Sequence, residues 1–181
     1  MSEMKKMQQM LMLLALMFSL NGFLSAGEIL DIKGSFGSEL IYGFPDGWVP
    51  NKPNFWEDTA NVSLKKIPDT EKNALQVTSQ TKAIHIYSTK RWSIATGDKC
   101  IIKAMVKGKG KGGLGVYSYP GCGMPGHKEF TATEEWTEFI VEIIIPTRSP
   151  EEINKITVVI TVSPGASIEF SDVTAEIVKK D

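Results

Sequence analysis

The residues able to do covalent chemistry are few: the 181-residue chain has two histidines, His85 and His127, and two cysteines, Cys100 and Cys122. Cys122 and His127 share one Gly/Pro-rich stretch, PGCGMPGHKE. A thiol and an imidazole in one loop could act as nucleophile and base, or as half of a metal site. The first needs hydrogen-bond reach, and the second needs more ligands than this stretch offers. No second ligand pair follows, and no Gly-x-Ser-x-Gly elbow occurs. Glu134-Glu135 and Glu151-Glu152 read as turn and cap charges rather than as the spaced acids of a glycosidase. The chain is expected not to be an enzyme. Its other reactive surface is aromatic: His85 and Tyr87 alternate with Ile84 and Ile86, and Tyr117 and Tyr119 alternate with Val116 and Ser118.

A period of two is the mark of a half-buried antiparallel sheet. From Gly97 to Tyr119, Cys100, Ile102, Ala104 and Val106 point one way, and Ile101, Lys103, Met105 and Lys107 the other. The Gly/Lys run that follows, centred on residues 107–113, reads as a hairpin turn into a second strand, Gly113–Tyr119. That turn would set Cys100 opposite Gly121, beside Cys122. A disulfide and two separate thiols both fit. The open face would carry His85, Tyr87, Tyr117 and Tyr119, with Lys103 and Met105 beside them. Such a face suits holding a ligand, while strand tyrosines also stabilise a sheet by cross-strand pairing alone.

Further strands are expected over Glu28–Ile32, Asn61–Lys66, Ala74–Ser79, Ala83–Ser88, Glu138–Ile145, Lys155–Ser163 and Ser167–Val178. Pro68-Asp69, Thr96-Gly97-Asp98, Pro120-Gly121 and Ser163-Pro164-Gly165 separate them as turns. The one helix-like piece is Ser149-Pro150-Glu151-Glu152. This spacing predicts an all-β, antiparallel β-sandwich in a single domain.

Lys5 and Lys6 precede the apolar run Met10–Leu20 and a small-residue site ending at Ala26, the pattern of a cleaved signal peptide. Residues 1–26 are therefore expected to be a leader and 27–181 the domain, secreted or periplasmic. Removing 26 of 181 residues leaves 155, enough for a real core. Loss of Lys5, Lys6 and Glu3 takes the formal charge from −1 to −2. A near-neutral balance gives no footprint for nucleic acid or an anionic membrane. The lysines of 107–111 lie in the expected turn and read as solubilising. Asn61-Val62-Ser63 fits a glycosylation sequon, but the bacterial character of the leader argues against modification.

Four pieces carry a family resemblance: Gly34-Ser-Phe36 with Pro45-Asp-Gly-Trp48; Gly97-Asp-Lys-Cys-Ile-Ile-Lys-Ala-Met-Val-Lys-Gly108; Trp136-Thr-Glu-Phe139; and Ile168-Glu-Phe-Ser-Asp172-Val173. In this order the chain resembles the jelly-roll, galactose-binding-domain-like carbohydrate-binding modules attached to bacterial cellulases and xylanases (the CenC-like type). The resemblance implies a jelly-roll sandwich that binds a polysaccharide or glycan on an aromatic sheet face or rim loop. Its rival is an extracytoplasmic module that binds another protein or serves a structural role. Trp48 and Trp136 match core anchors. Trp92 could roof the core or cap the aromatic face, and Trp56, in the polar loop Pro50–Ala60, could anchor that loop or touch ligand. The ligand-binding candidates are thus His85, Tyr87, Tyr117, Tyr119, Trp92 and Trp56. No cofactor is expected beyond a structural calcium, for which Asp172 would be a ligand, helped by Asp31 or Glu28. Gly37 and Ser171 stand where many relatives carry acids.

Overall fold

The computed structural model describes residues 27–41, 43–51, 60–119, 123–146 and 155–180. The order of elements is β1 (Glu28–Gly34), β2 (Leu40–Ile41), β3 (Phe44–Pro45), β4 (Trp48–Pro50), β5 (Ala60–Lys66), β6 (Asn73–Ser79) and β7 (Ile84–Ser88). Then come β8 (Trp92–Ser93), β9 (Lys99–Tyr119), β10 (Gly123–Ala132), β11 (Thr137–Ile144), β12 (Lys155–Val162) and β13 (Ser167–Val178). No helix occurs among the described residues. The expected helical piece, residues 149–152, lies outside them.

The fold is an antiparallel β-sandwich of jelly-roll type whose two layers share β9. The first layer runs β11–β9–β13–β6–β5, with β1 on the C-terminal half of β13. The second runs β4–β7–β12–β9–β10, with β8 on the start of β12. Inward residues from both layers meet in one core: Ile102, Ala104 and Val106 from the first half of β9, Leu114 and Val116 from the second. Ile156, Val158 and Ile160 of β12 and Ile168, Phe170 and Ile177 of β13 join them.

β9 corrects the expected hairpin. It is one strand of 21 residues, with no turn inside it. A strand that long spans about 70 Å if straight, while a domain of this size is only about 40 Å across. It must bend, and it bends where the sequence is Gly-Lys-Gly-Lys-Gly-Gly. Up to Lys109 it pairs with β13 in the first layer, and from Gly110 it pairs with β10 in the second. Gly108 and Gly110 have φ of +141° and +94°, open to glycine alone. A Cβ at Gly108 would stand 2.2 Å from the Ser167 carbonyl oxygen, and one at Gly110 would stand 2.6 Å from Ala166 Cβ. The glycines turn a corner between sheets rather than reversing the chain.

Three further expectations change with it. The expected loop PGCGMPGHKE largely becomes β10, an edge strand whose register shifts between Gly123 and Gly126, around Pro125. Lys103 and Met105 face out from the first layer, not from the layer that carries the tyrosines. Cys100 is a free, fully buried thiol packed between Ile143 and Ile177, so the turn that would have brought it toward Cys122 is absent. Cys122 itself lies outside the described residues.

Candidate functional site

Outward residues of the second layer form a continuous face. The register sets Tyr87, Val159, Gly115 and His127 in one row across β7, β12, β9 and β10. The neighbouring row is His85, Thr161, Gly113 and Glu129. On the other side Thr157 lies beside Tyr117, and Lys155 beside Tyr119. The expected outward direction of His85, Tyr87, Tyr117 and Tyr119 is the observed one, and the structure brings all four onto this face.

The tyrosines form a chain of edge-to-face contacts. Tyr87 and Tyr117 have ring centroids 5.3 Å apart at 71°, and Tyr117 and Tyr119 have centroids 5.2 Å apart at 61°. This is the arrangement favoured by the ring quadrupole. The Arg91 guanidinium sits 3.8 Å from the Tyr119 ring centroid and ends the row with a cation. At the other end the His85 and Tyr87 rings lie 6.5 Å apart at 80°.

Glycine makes the imidazole end possible. His127 reaches across β9 so that its Nε2 lies 2.8 Å from Thr161 Oγ1. A Cβ on Gly113 would come within 2.3 Å of that nitrogen. Bare backbone at Gly113 and Gly115 thus lets the ring lie flat over the strand. Val159, in the middle of the face and outside the core, is fully buried beneath these side chains. Below the tyrosines, Ser88 Oγ and Thr157 Oγ1 are 2.6 Å apart, and the Val158 N–H donates to Ser88 Oγ at 3.0 Å, which locks the floor.

Burial sets the protonation states. The Tyr87 phenol is pushed up to about 12, by burial first and then by Tyr117 and Tyr119. Burial also lowers both histidines; His127 adds to the lowering at His85, and Glu129 partly offsets it at His127. At neutral pH the face therefore presents the Tyr87 phenol and both imidazoles in their neutral forms, each able to donate or accept a hydrogen bond. A cleft of about 210 Å³ opens among Asn51, Tyr87, Arg91, Tyr117, Tyr119 and Thr157.

The remaining expected residues lie elsewhere. Trp92 is half-buried against the core, opposite Ile156, and so roofs the core rather than capping the tyrosines. Trp48 is buried and stacks near Phe36, centroids 5.7 Å apart, as expected of a core anchor. Trp136 is only half-buried and stands apart from the core cluster, whereas Phe139 packs against it. Trp56 lies outside the described residues. Asp172 sits at the bulge of β13 with both oxygens on Lys72 Nζ, at 2.9 and 3.0 Å, and Asp31 is paired with Lys90 at 2.6 Å. Calcium takes roughly six to eight oxygens. Among the described residues no group of three acids, histidines or cysteines could hold a metal.

Sequence reasoning missed three contributors. The Gly/Pro-rich composition predicts a loop for His127 beside Cys122, but it lies on β10. Arg91 carries no periodic signal and reaches Tyr119 only through the fold. The alternation of Thr157, Val159 and Thr161 in β12 was available as a sign of a second, polar-lined face.

No protein-family model matches this chain, and no curated protein matches it. Solved structures do. A Stig cyclase, FisC from Fischerella sp. TAU, in complex with an indole compound, superposes with a TM-score of 0.69 at 12% identity, covering 86% of this chain and 100% of that one. The CBM22-1 xylan-binding domain of Paenibacillus barcinonensis Xyn10C gives 0.54 at 16% identity, covering 87% and 99%. A CBM4 module gives 0.53 at 12% identity, covering 80% and 97%. Identities this low carry fold and nothing finer. The chain thus shares one β-sandwich architecture with carbohydrate-binding modules and with a cyclase.

Proposed function

We propose that this protein is an exported, non-catalytic carbohydrate-binding β-sandwich, with residues 1–26 removed as a leader and a polysaccharide or glycan held on the outer face of the second layer. The observation that carries the reading is the tyrosine row closed by Arg91 over a polar cleft. Pyranose rings expose C–H patches that rest on a phenol ring, while their hydroxyls pair with amide, guanidinium, hydroxyl and imidazole groups. Asn51, Arg91 and Thr157 supply that chemistry around Tyr117. The cleft is smaller than the several hundred cubic ångströms that enclose a drug-sized ligand. It suits one ring of a longer chain, not a whole free oligosaccharide.

Fold alone does not decide between a binding module and an enzyme, since the cyclase has the same architecture. The face favours binding. Its strands carry a single carboxylate among the described residues, Glu129, where glycoside hydrolysis uses two. The His127–Thr161 pair is spent on holding the imidazole across β9.

The test is affinity electrophoresis of the purified protein through a panel of soluble polysaccharides, beside Tyr117→Ala. Retardation by one polysaccharide, weakened at least tenfold in a variant that still unfolds cooperatively, is the expected result. Retardation that survives the substitution would move the site off this face. Passage through every gel without retardation would sink the carbohydrate reading and favour a protein-binding role.

A further inference from the structure

A second cleft, of about 380 Å³, lies off the edge of the second layer. The β2–β3 hairpin forms one wall with Ile41, Phe44 and Pro45, and β4 forms the other with Trp48, Val49 and Pro50. Its one charged lining residue among the described residues, Asp46, is already ion-paired with Lys33. The two clefts share Val49, Pro50 and Thr89, so β4 is the ridge between them. β4 pairs only with β7 among the described strands. The crossing from one cleft to the other is therefore about one strand spacing, ~5 Å.

The chemistry differs sharply across that ridge. On one side are phenols, a guanidinium, an amide and a hydroxyl; on the other, aliphatic and aromatic carbon. A bare sugar ring would bury hydroxyls against the apolar wall without partners, at a cost of about 1–3 kcal/mol for each. An apolar group would cover surface that now faces water, for Ile41 is 53% and Val49 43% exposed. The apolar cleft is also large enough for an aromatic ring or a short acyl chain.

We propose that the preferred ligand is a saccharide bearing an apolar substituent, an acyl ester or aryl group, with its sugar in the tyrosine cleft and its substituent laid across Val49 into the hairpin cleft. This rests on the carbohydrate reading and names the ligand class for the same site.

Calorimetry with matched 4-nitrophenyl and methyl glycosides of glucose, xylose, mannose and galactose trisaccharides tests it. At least one aryl form should bind about tenfold more tightly than its methyl partner. Ile41→Asp, which lines the apolar cleft alone, should abolish that advantage and leave methyl glycoside binding unchanged. Val49→Asp, on the ridge, should weaken the aryl form more than the methyl form. Melting curves confirm that both variants fold. Equal affinity for the two forms, or an aryl advantage that survives Ile41→Asp, overturns this inference while the carbohydrate reading stands. Failure of every glycoside to bind, or equal binding of free 4-nitrophenol, overturns both.

Discussion

The two outer faces of the sandwich are built on the same strand with the same alternation, yet they carry different chemistry. In the first half of β9 the outward residues are Ile101, Lys103, Met105 and Lys107, opposite Glu142, Ile140 and Glu138 of β11 and Glu176, Thr174 and Glu169 of β13. Lys99–Glu142 and Lys65–Glu169 pair there in water, at 3.1 and 2.9 Å. Exposed pairs of this kind add little stability, on the order of 0–1 kcal/mol each. In the second half of β9 the outward residues are Lys111 beside the corner and then Gly113, Gly115, Tyr117 and Tyr119, next to a buried Val159 and two threonines. One face is lined by facing charges and solvated; the other is centred on aromatic rings and partly closed, with Arg91, Lys155 and Glu129 at its margins. Inward residues are nearly interchangeable between the halves, since both are aliphatic. The difference that bears on function lies wholly in the outward set.

The comparison depends on the corner that turns β9 from one layer to the other, and breaking that corner has the largest expected effect. Gly108→Ala puts a Cβ against the Ser167 carbonyl and imposes a φ of +141° on a residue that resists it. Strain and overpacking together should cost at least about 3 kcal/mol. Gly37→Ala is the control, because nothing lies within 4 Å of the new methyl group. It should stay within about 0.5 kcal/mol of the parent. Thermal and urea unfolding of the pair decide it. Comparable stability in both variants would mean that β9 does not turn as described.

Next in size is the contrast in binding between the faces. Tyr117→Ala removes the ring that touches both Tyr87 and Tyr119. Uncovering about 100 Å² of ring surface is worth about 2.5 kcal/mol, so affinity for the retarding polysaccharide should fall ten- to a hundredfold. Met105→Ala and Lys103→Ala, on the opposite face, should leave it unchanged. The polysaccharide should therefore retard Tyr117→Ala less than it retards the Met105 or Lys103 variant; the reverse order would assign the ligand to the first layer.

Much of this was legible in the chain, for definite reasons. Alternation fixes which way a strand residue points, so the directions of His85, Tyr87, Tyr117 and Tyr119 could be read without knowing their partners. It does not fix which layer a strand joins. A Gly/Lys run signals bent backbone, and a bend between sheets has the same composition as a hairpin turn. The choice between them is made by Ala166 and Ser167, far along the chain, which fill the space a side chain would need. β10 was hidden because Gly123, Pro125 and Gly126 punctuate it. Proline is tolerated there because the strand is an edge with a register shift. Arg91 illustrates the last kind of gap, for its contact with Tyr119 exists only once β8 and β9 are both paired to β12.

A smaller effect separates the faces by pH. Both histidines of the chain lie on the second layer. Burial depresses each, with His127 and Tyr87 facing His85, and with Glu129 and Thr161 facing His127. The unfolded chain thus takes up protons that the folded one resists. The stability in question is fully present above the ordinary histidine value, about 6.5, and is lost as pH falls below it. The melting temperature should drop between pH 7 and pH 5, and His85→Gln/His127→Gln should flatten that drop. An identical pH profile in the double variant would show that these imidazoles are not held neutral by the face.

The smallest expected effect is at Cys100, and it probes whether β9 runs through without reversing. The thiol is fully enclosed by the first layer, opposite Ile143 and Ile177, and burial pushes it up to about 12, with Glu176 adding to the shift. A protonated, enclosed thiol is inert, because the thiolate is the reacting species. Native protein should therefore leave Cys100 unmodified by a thiol reagent over hours, and denaturation without reductant should make it fully reactive. Reductant should not shift the melting temperature, since no cross-link of Cys100 constrains the unfolded chain. A Cys100–Cys122 peptide recovered from a non-reducing digest would restore the hairpin and undo the corner at Gly108. With it would go the separation of the two faces, because Lys103 and Met105 would then return to the side of Tyr117.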